Sequence, residues 1–142
     1  MLFITNRAPK GSFNTVINQP FEFDLDNNAP ANSVYFCQRN CEDDYEEIGS
    51  QNLLALLKES SAQQVLLLIH GFSNLPEPDI FPRALELQQL FDQQSPNLVQ
   101  VVPLIWPCDN DLGIIKDYWD DQKSADASAP AFARVLQKFM AW

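Results

Sequence analysis

The only histidine in the chain, His70, sits where an aliphatic run breaks into a turn, in Val65-Leu66-Leu67-Leu68-Ile69-His70-Gly71-Phe72-Ser73-Asn74. An imidazole, a hydroxyl and a glycine-flanked backbone amide are the groups used in acyl transfer, where a base activates a nucleophile and fixed N–H donors meet the charge that develops on the carbonyl oxygen. Ser73 supplies a hydroxyl, but no second histidine exists to act as its base if His70 is held in the turn. A lone histidine at a strand end more often holds backbone in place than moves protons. The reading is therefore that His70 is a structural hydrogen-bonder at the turn, that Asn74 orients the loop or lines a pocket, and that Gly71 lets the backbone turn and approach.

Other reactive groups are less ordered. Cys37 and Cys41 are spaced Cys-x₃-Cys, and with Cys108 and His70 far off they do not match zinc spacing, so all three read as plain thiols. In the acidic stretch Cys41–Glu47 the carboxylates are adjacent, not spaced to converge on an ion, which fits a solvated loop. Asp109, Asp111, Asp117, Asp120 and Asp121 superficially match a calcium loop, but the required glycine falls at Ile114, with Gly113 one residue early. No metal site and no cofactor are expected.

These groups need elements to place them. Five consecutive aliphatics, Val65–Ile69, fit a strand buried on both faces in a parallel sheet, and ligands of open α/β sheets sit at the carboxyl ends of such strands. Val99–Ile105 is a second apolar strand, stopping at Trp106-Pro107. Leu2–Thr5 reads as a first short strand, closed by the polar stretch Asn6–Ser12. Phe21–Asp26 alternates apolar and acidic residues, the pattern of a half-exposed strand near a sheet edge, and Ser33–Cys37 follows as its hairpin partner. Ser50 is placed to cap a helix running to Ser60, and Asp79 to cap one in which Pro82 lies in the first turn and Ile80, Ala84, Leu87 and Phe91 form a stripe. The last helix is expected over Ser124–Trp142, with Phe132, Val135, Leu136, Phe139 and Met140 as its core face and Pro130 in a first turn or at a kink.

The apolar strand, His70-Gly71-Phe72-Ser73-Asn74 and a later strand ending in Trp106-Pro107 together resemble the front half of the α/β-hydrolase superfamily. Their order is similar to that in its poorly characterised bacterial members with HG[YF]xN and Trp-Pro. The resemblance implies an α/β fold with a partial hydrolase-type sheet, amino-terminal hairpin strands plus two parallel buried strands, flanked by helices. Residues 1–142 form one domain-half: 1–49 the hairpin strands and acidic loop, 50–142 helix, strand and turn, helix, strand, helix. It implies that Gly71 and Phe72 form the oxyanion hole, that His70 and Asn74 support the loop, and that Trp106 and Pro107 wall the acyl or leaving-group pocket.

In that family the nucleophile sits in Gly-x-Ser-x-Gly after the next strand, with acid and base later. None of Gly11, Gly49, Gly71 and Gly113 flanks a serine in that pattern, so no catalytic residue is assigned in this chain. The expectation is the amino-terminal half of a serine esterase-like or lipase-like domain, a truncated reading frame or an excerpt of a longer protein, inactive alone. The alternative is a non-catalytic binding or interaction module of α/β fold. In the hydrolase strand order the Val65–Ile69 strand has one neighbour here and an open second edge, which implies self-association.

Composition narrows the partners. Nine Lys and Arg against nineteen Asp and Glu give a net charge of −10, which disfavours nucleic acid and anionic membrane surfaces. With no signal-like amino terminus and an odd number of cysteines, a cytoplasmic location and a small ester or related substrate are expected.

Overall fold

The structure is a computed structural model that describes residues 1–11, 17–108 and 114–141, with side chains in the last stretch from residue 118 onward. Strands β1 (Leu2–Arg7), β2 (Gln19–Phe21), β3 (Pro30–Cys41) and β4 (Asp44–Glu47) precede helix α1 (Gly49–Glu59) and strand β5 (Gln64–Ile69). A π-helical turn, Pro76–Ile80, leads into α2 (Phe81–Gln94), then β6 (Val99–Ile105) and α3 (Ile114–Met140). Among the described residues these strands form one mixed sheet of six in the order β2-β4-β3-β1-β6-β5. The β1, β5 and β6 strands run parallel to one another, and β1–β3, β3–β4 and β2–β4 pair antiparallel.

Successive side chains of a strand point to opposite faces, and the two helical layers follow from that alternation. Ile4, Phe36, Val102 and Leu104 pack on Leu53 and Leu57 of α1 and on Phe132 and Val135 of α3. Their neighbours Phe3, Cys37 and Ile105 face the other way, onto Ile80 and Phe81 at the start of α2, while Val101 meets Ala84. The result is a helix–sheet–helix sandwich of the α/β class.

Several expectations change. β5 keeps the open second edge expected of it, paired among the described residues only with β6 from Gln64↔Val99 to Ile69↔Leu104, but that position leaves Val65–Leu68 half-buried instead of buried on both faces. The hairpin partner of β3 is β4, and β2 pairs with β4 at the opposite end of the sheet. The acidic stretch is thus half strand: Asp44 faces solvent, while Tyr45 and Glu47 are buried. Tyr45 turns into an aromatic cluster with Phe3, Phe23 and Phe81, whose ring centroids lie 5.0–5.7 Å from its own. Glu47 stays in because its oxygens accept the N–H groups of Phe36 (2.8 Å) and Gly49 (2.9 Å). Burial offsets those bonds and holds its pKa above the ordinary carboxylate value.

Helix starts also move. α1 begins at Gly49 without a side-chain cap, and Ser50 instead accepts a hydrogen bond from Lys138 Nζ (2.9 Å). Asp79 lies within the π-helical turn and takes the Leu75 N–H (3.0 Å). α3 runs unbroken through Pro130, which is exposed, so the carbonyl it leaves without a helical donor lies on the wet side of the helix. The stretch read as a loop to Asp121 is therefore helical from Ile114; Asp109, Asp111 and the side chain of Asp117 lie outside the described residues.

Candidate active-site turn

Because β1, β5 and β6 are parallel, their carboxyl ends lie along one edge of the sheet, and the segment His70–Asn74 leaves β5 there beside Trp106–Cys108 leaving β6. His70 is locked between them. The Trp106 N–H donates to its Nε2 (3.1 Å), which makes that nitrogen the acceptor and puts the ring proton on Nδ1, where it donates to the Gly71 carbonyl (2.8 Å). Its ring stacks on the Trp106 indole at 4.8 Å and 7°, and the indole Nε1–H donates back to the His70 carbonyl (3.0 Å). Burial lowers the His70 pKa from 6.5 to about 4. With both ring nitrogens bonded and a low basicity, this imidazole holds the turn and is a poor general base.

Asn74 is buried and makes the turn's internal brace. Its Nδ2–H donates to the Phe72 carbonyl, and its Oδ1 accepts from the Arg83 guanidinium on α2. Its main chain meets Cys108: the Asn74 N–H points to Sγ (3.3 Å) and the thiol donates to the Asn74 carbonyl (2.8 Å). Cys108 is thus a pin between the ends of β5 and β6, a task its spacing in the sequence did not show. The other thiol in the core, Cys37, is held well above its ordinary pKa by burial.

Ser73 is the residue in the left-handed conformation, φ 55°, and its N–H donates to Asp121 Oδ2 on α3 (2.7 Å). Gly71 does not have a positive φ, and a Cβ built on it would meet only Asn74 Nδ2 at 3.9 Å, an ordinary contact. The expectation that glycine is needed there to turn the chain is therefore not what the backbone requires. Phe72 is 45% exposed, with its ring edge-on to Tyr118 of α3 at 5.6 Å. Its N–H lies beyond the β5–β6 ladder and finds no acceptor among the described residues.

Trp106 and Pro107 are both buried, Trp106 within the core under α1 and α3. Cavities of about 470 Å³ beside Tyr45 and Glu77 and about 400 Å³ beside Phe36 and Lys138 are lined by neither residue. The structure thus makes Trp106 the brace of His70. Among the described residues no group of three or more His, Cys, Asp or Glu side chains could hold a metal, and no helix is long and apolar enough to cross a membrane.

The sequence reading missed Asp121 and Arg83 as well as the task of Cys108. Asp121 had a signal: with Ser124, Ser128, Ala131 and Val135 it forms the buried stripe of α3, so extending the helical period upstream of Pro130 points it inward.

A family profile described as an alpha/beta hydrolase of unknown function (DUF900) matches residues 46–141. The chain belongs to that family. No curated protein and no solved structure matches it. The matched region of this α/β-hydrolase runs from β4 to the end of α3 and contains the whole turn with Asn74, Cys108 and Asp121.

Proposed function

We propose that His70–Asn74 is the oxyanion-hole turn of a serine esterase-type acyl hydrolase, with the Phe72 N–H as donor and Gly71 giving the carbonyl oxygen room to reach it. The observation that carries this reading is an N–H without an acceptor beside groups that are tied down: the Phe72 carbonyl to Asn74, the Ser73 N–H to Asp121, the Asn74 N–H to Cys108. As a nucleophile adds to an ester carbonyl, the oxygen gains negative charge, and one preoriented N–H lowers the barrier by about 3 kcal/mol. His70 and Asn74 act here as supports. The nucleophile, acid and base have no counterparts in this sequence, and we place them in a partner segment whose strand pairs with the free edge of β5. Where nothing fills that edge, a second copy of the chain is the expected occupant.

Two measurements test the reading. Butylphosphonate, an anion shaped like the tetrahedral intermediate, is titrated against isotope-labelled chain and followed by two-dimensional amide NMR. The Gly71 and Phe72 amides should shift saturably while the β6 amides stay put; a titration that leaves Phe72 unmoved removes the oxyanion assignment. The 142-residue chain should also show no saturable hydrolysis of p-nitrophenyl butyrate over buffer. Saturating turnover that vanishes in Ser73→Ala would instead make Ser73 a nucleophile.

A further inference from the structure

A serine with positive φ is held in a conformation that costs about 1 kcal/mol or more relative to ordinary backbone, so something must hold Ser73 there. Within the turn, Asn74 ties only the preceding carbonyl, that of Phe72. The Ser73 N–H goes 48 residues along the chain to Asp121, a fully buried carboxylate on α3. The other oxygen of Asp121 accepts from Asn28 Nδ2 (3.1 Å), which fixes the carboxylate plane. One turn earlier on the same helix, Tyr118 meets the Phe72 ring. α3 therefore grips the turn on both sides of the Phe72–Ser73 peptide.

We infer that Asp121 is the positioning residue of the oxyanion turn: by holding the Ser73 N–H it keeps the Phe72–Ser73 backbone in the one conformation that leaves the Phe72 N–H unbonded and outward. The inference rests on the oxyanion reading. It makes a prediction opposite in sign to simple electrostatics, because a carboxylate beside an anion site repels the anion, and removing it should tighten binding unless its work is geometric. A conservative rescue is built in. In Asp121→Asn the amide oxygen can still accept from Ser73, and Asn28 can turn its own amide over to offer the oxygen that is buried without a hydrogen-bond partner in the native fold.

The experiment measures butylphosphonate affinity from the Phe72 amide in Asp121→Ala, Asp121→Asn and the Asn28→Ala/Asp121→Asn double variant, with the exposed Asp120→Ala as control. Affinity should fall about tenfold in Asp121→Ala, the effect of losing one buried charged hydrogen bond, and stay close to wild type in Asp121→Asn and Asp120→Ala. The double variant should lose the rescue. Equal or tighter binding in Asp121→Ala, or an Asp121→Asn chain as weak as Asp121→Ala, overturns the inference. Should wild-type Phe72 ignore the phosphonate, the oxyanion reading falls, and hydrogen exchange judges the positioning separately. Ser73 and Asn74 amides that exchange faster in Asp121→Ala, with α1 unchanged, support it; unchanged exchange at both sinks it. If Asp121→Ala does not fold, the double variant, which keeps the volume at position 121, carries the same comparison.

Discussion

β5 and β6 are adjacent, parallel and similar in composition, yet one is half-exposed and the other closed. In β6, Val99 and Val101–Ile105 are buried, with β1 on one side, β5 on the other and helices over both faces. In β5, Val65–Leu68 are only partly covered and Ile69 is 59% exposed, because among the described residues its far edge has no strand. Burial here is a property of place in the sheet, and the strand's own sequence specifies only what it is able to bury. A run of aliphatics at an uncharged edge offers unpaired backbone groups and apolar side chains together, the combination that recruits another strand. The opposite end of the sheet is treated differently. Its terminal strand β2 is short, and the neighbouring hairpin is clamped by Arg39, bidentate to Glu77 at 2.8 and 2.9 Å, with the Tyr45 hydroxyl on the same carboxylate.

Truncating equivalent residues breaks the comparison most strongly. Leu104→Ala empties a fully buried site and should cost about 3 kcal/mol, whereas Leu67→Ala in β5 should cost about 1 kcal/mol, read from urea unfolding midpoints. Equal losses would mean that β5 is packed as well as β6.

The next effect lies in the lock between the two strands. His70 titrates near 6.5 in the unfolded chain and about 4 in the fold, so its contribution is complete above pH 6.5 and is lost as pH falls through that window. The loss is about 3 kcal/mol by linkage. Stability measured from pH 7 to 4 should therefore fall less steeply in His70→Gln than in the parent; identical slopes would show that His70 protonates freely in the fold.

The smallest change in stability belongs to Ile69→Lys, within about 0.5 kcal/mol at an exposed position. Light scattering after size exclusion should nonetheless shift from self-associated species towards monomer, because a charge at the edge discourages strand pairing. A parent chain already monomeric with no hydrophobic-dye binding would show that the edge is harmless as it stands.

Much of this was legible beforehand where one local rule decides. The aliphatic runs gave β5 and β6, the family resemblance gave their parallel pairing, and the stripe of Ile80 and Ala84 gave the face of α2 that meets the sheet. The turn at His70 was legible for the same reason, since the run stops there abruptly. What escaped depends on partners distant in the chain. Tyr45 and Glu47 lie among carboxylates that look solvated until an aromatic cluster and the Phe36 and Gly49 amides receive them. Asp121 looks like one more surface acid until Ser73 and Asn28 meet it. Cys108 looks idle until Asn74 arrives beside it.

The central claim is that the turn after β5 is tied down around a Phe72 N–H left without an acceptor, and residue-resolved amide hydrogen exchange tests it most directly. Ser73 and Asn74, whose N–H groups are held by Asp121 and Cys108, should be protected, while Phe72 between them and the strand exchanges near the rate of an open peptide. Phe72 protected as strongly as Ser73 would mean that its N–H already has an acceptor in the folded chain, and the oxyanion turn would have no donor to offer.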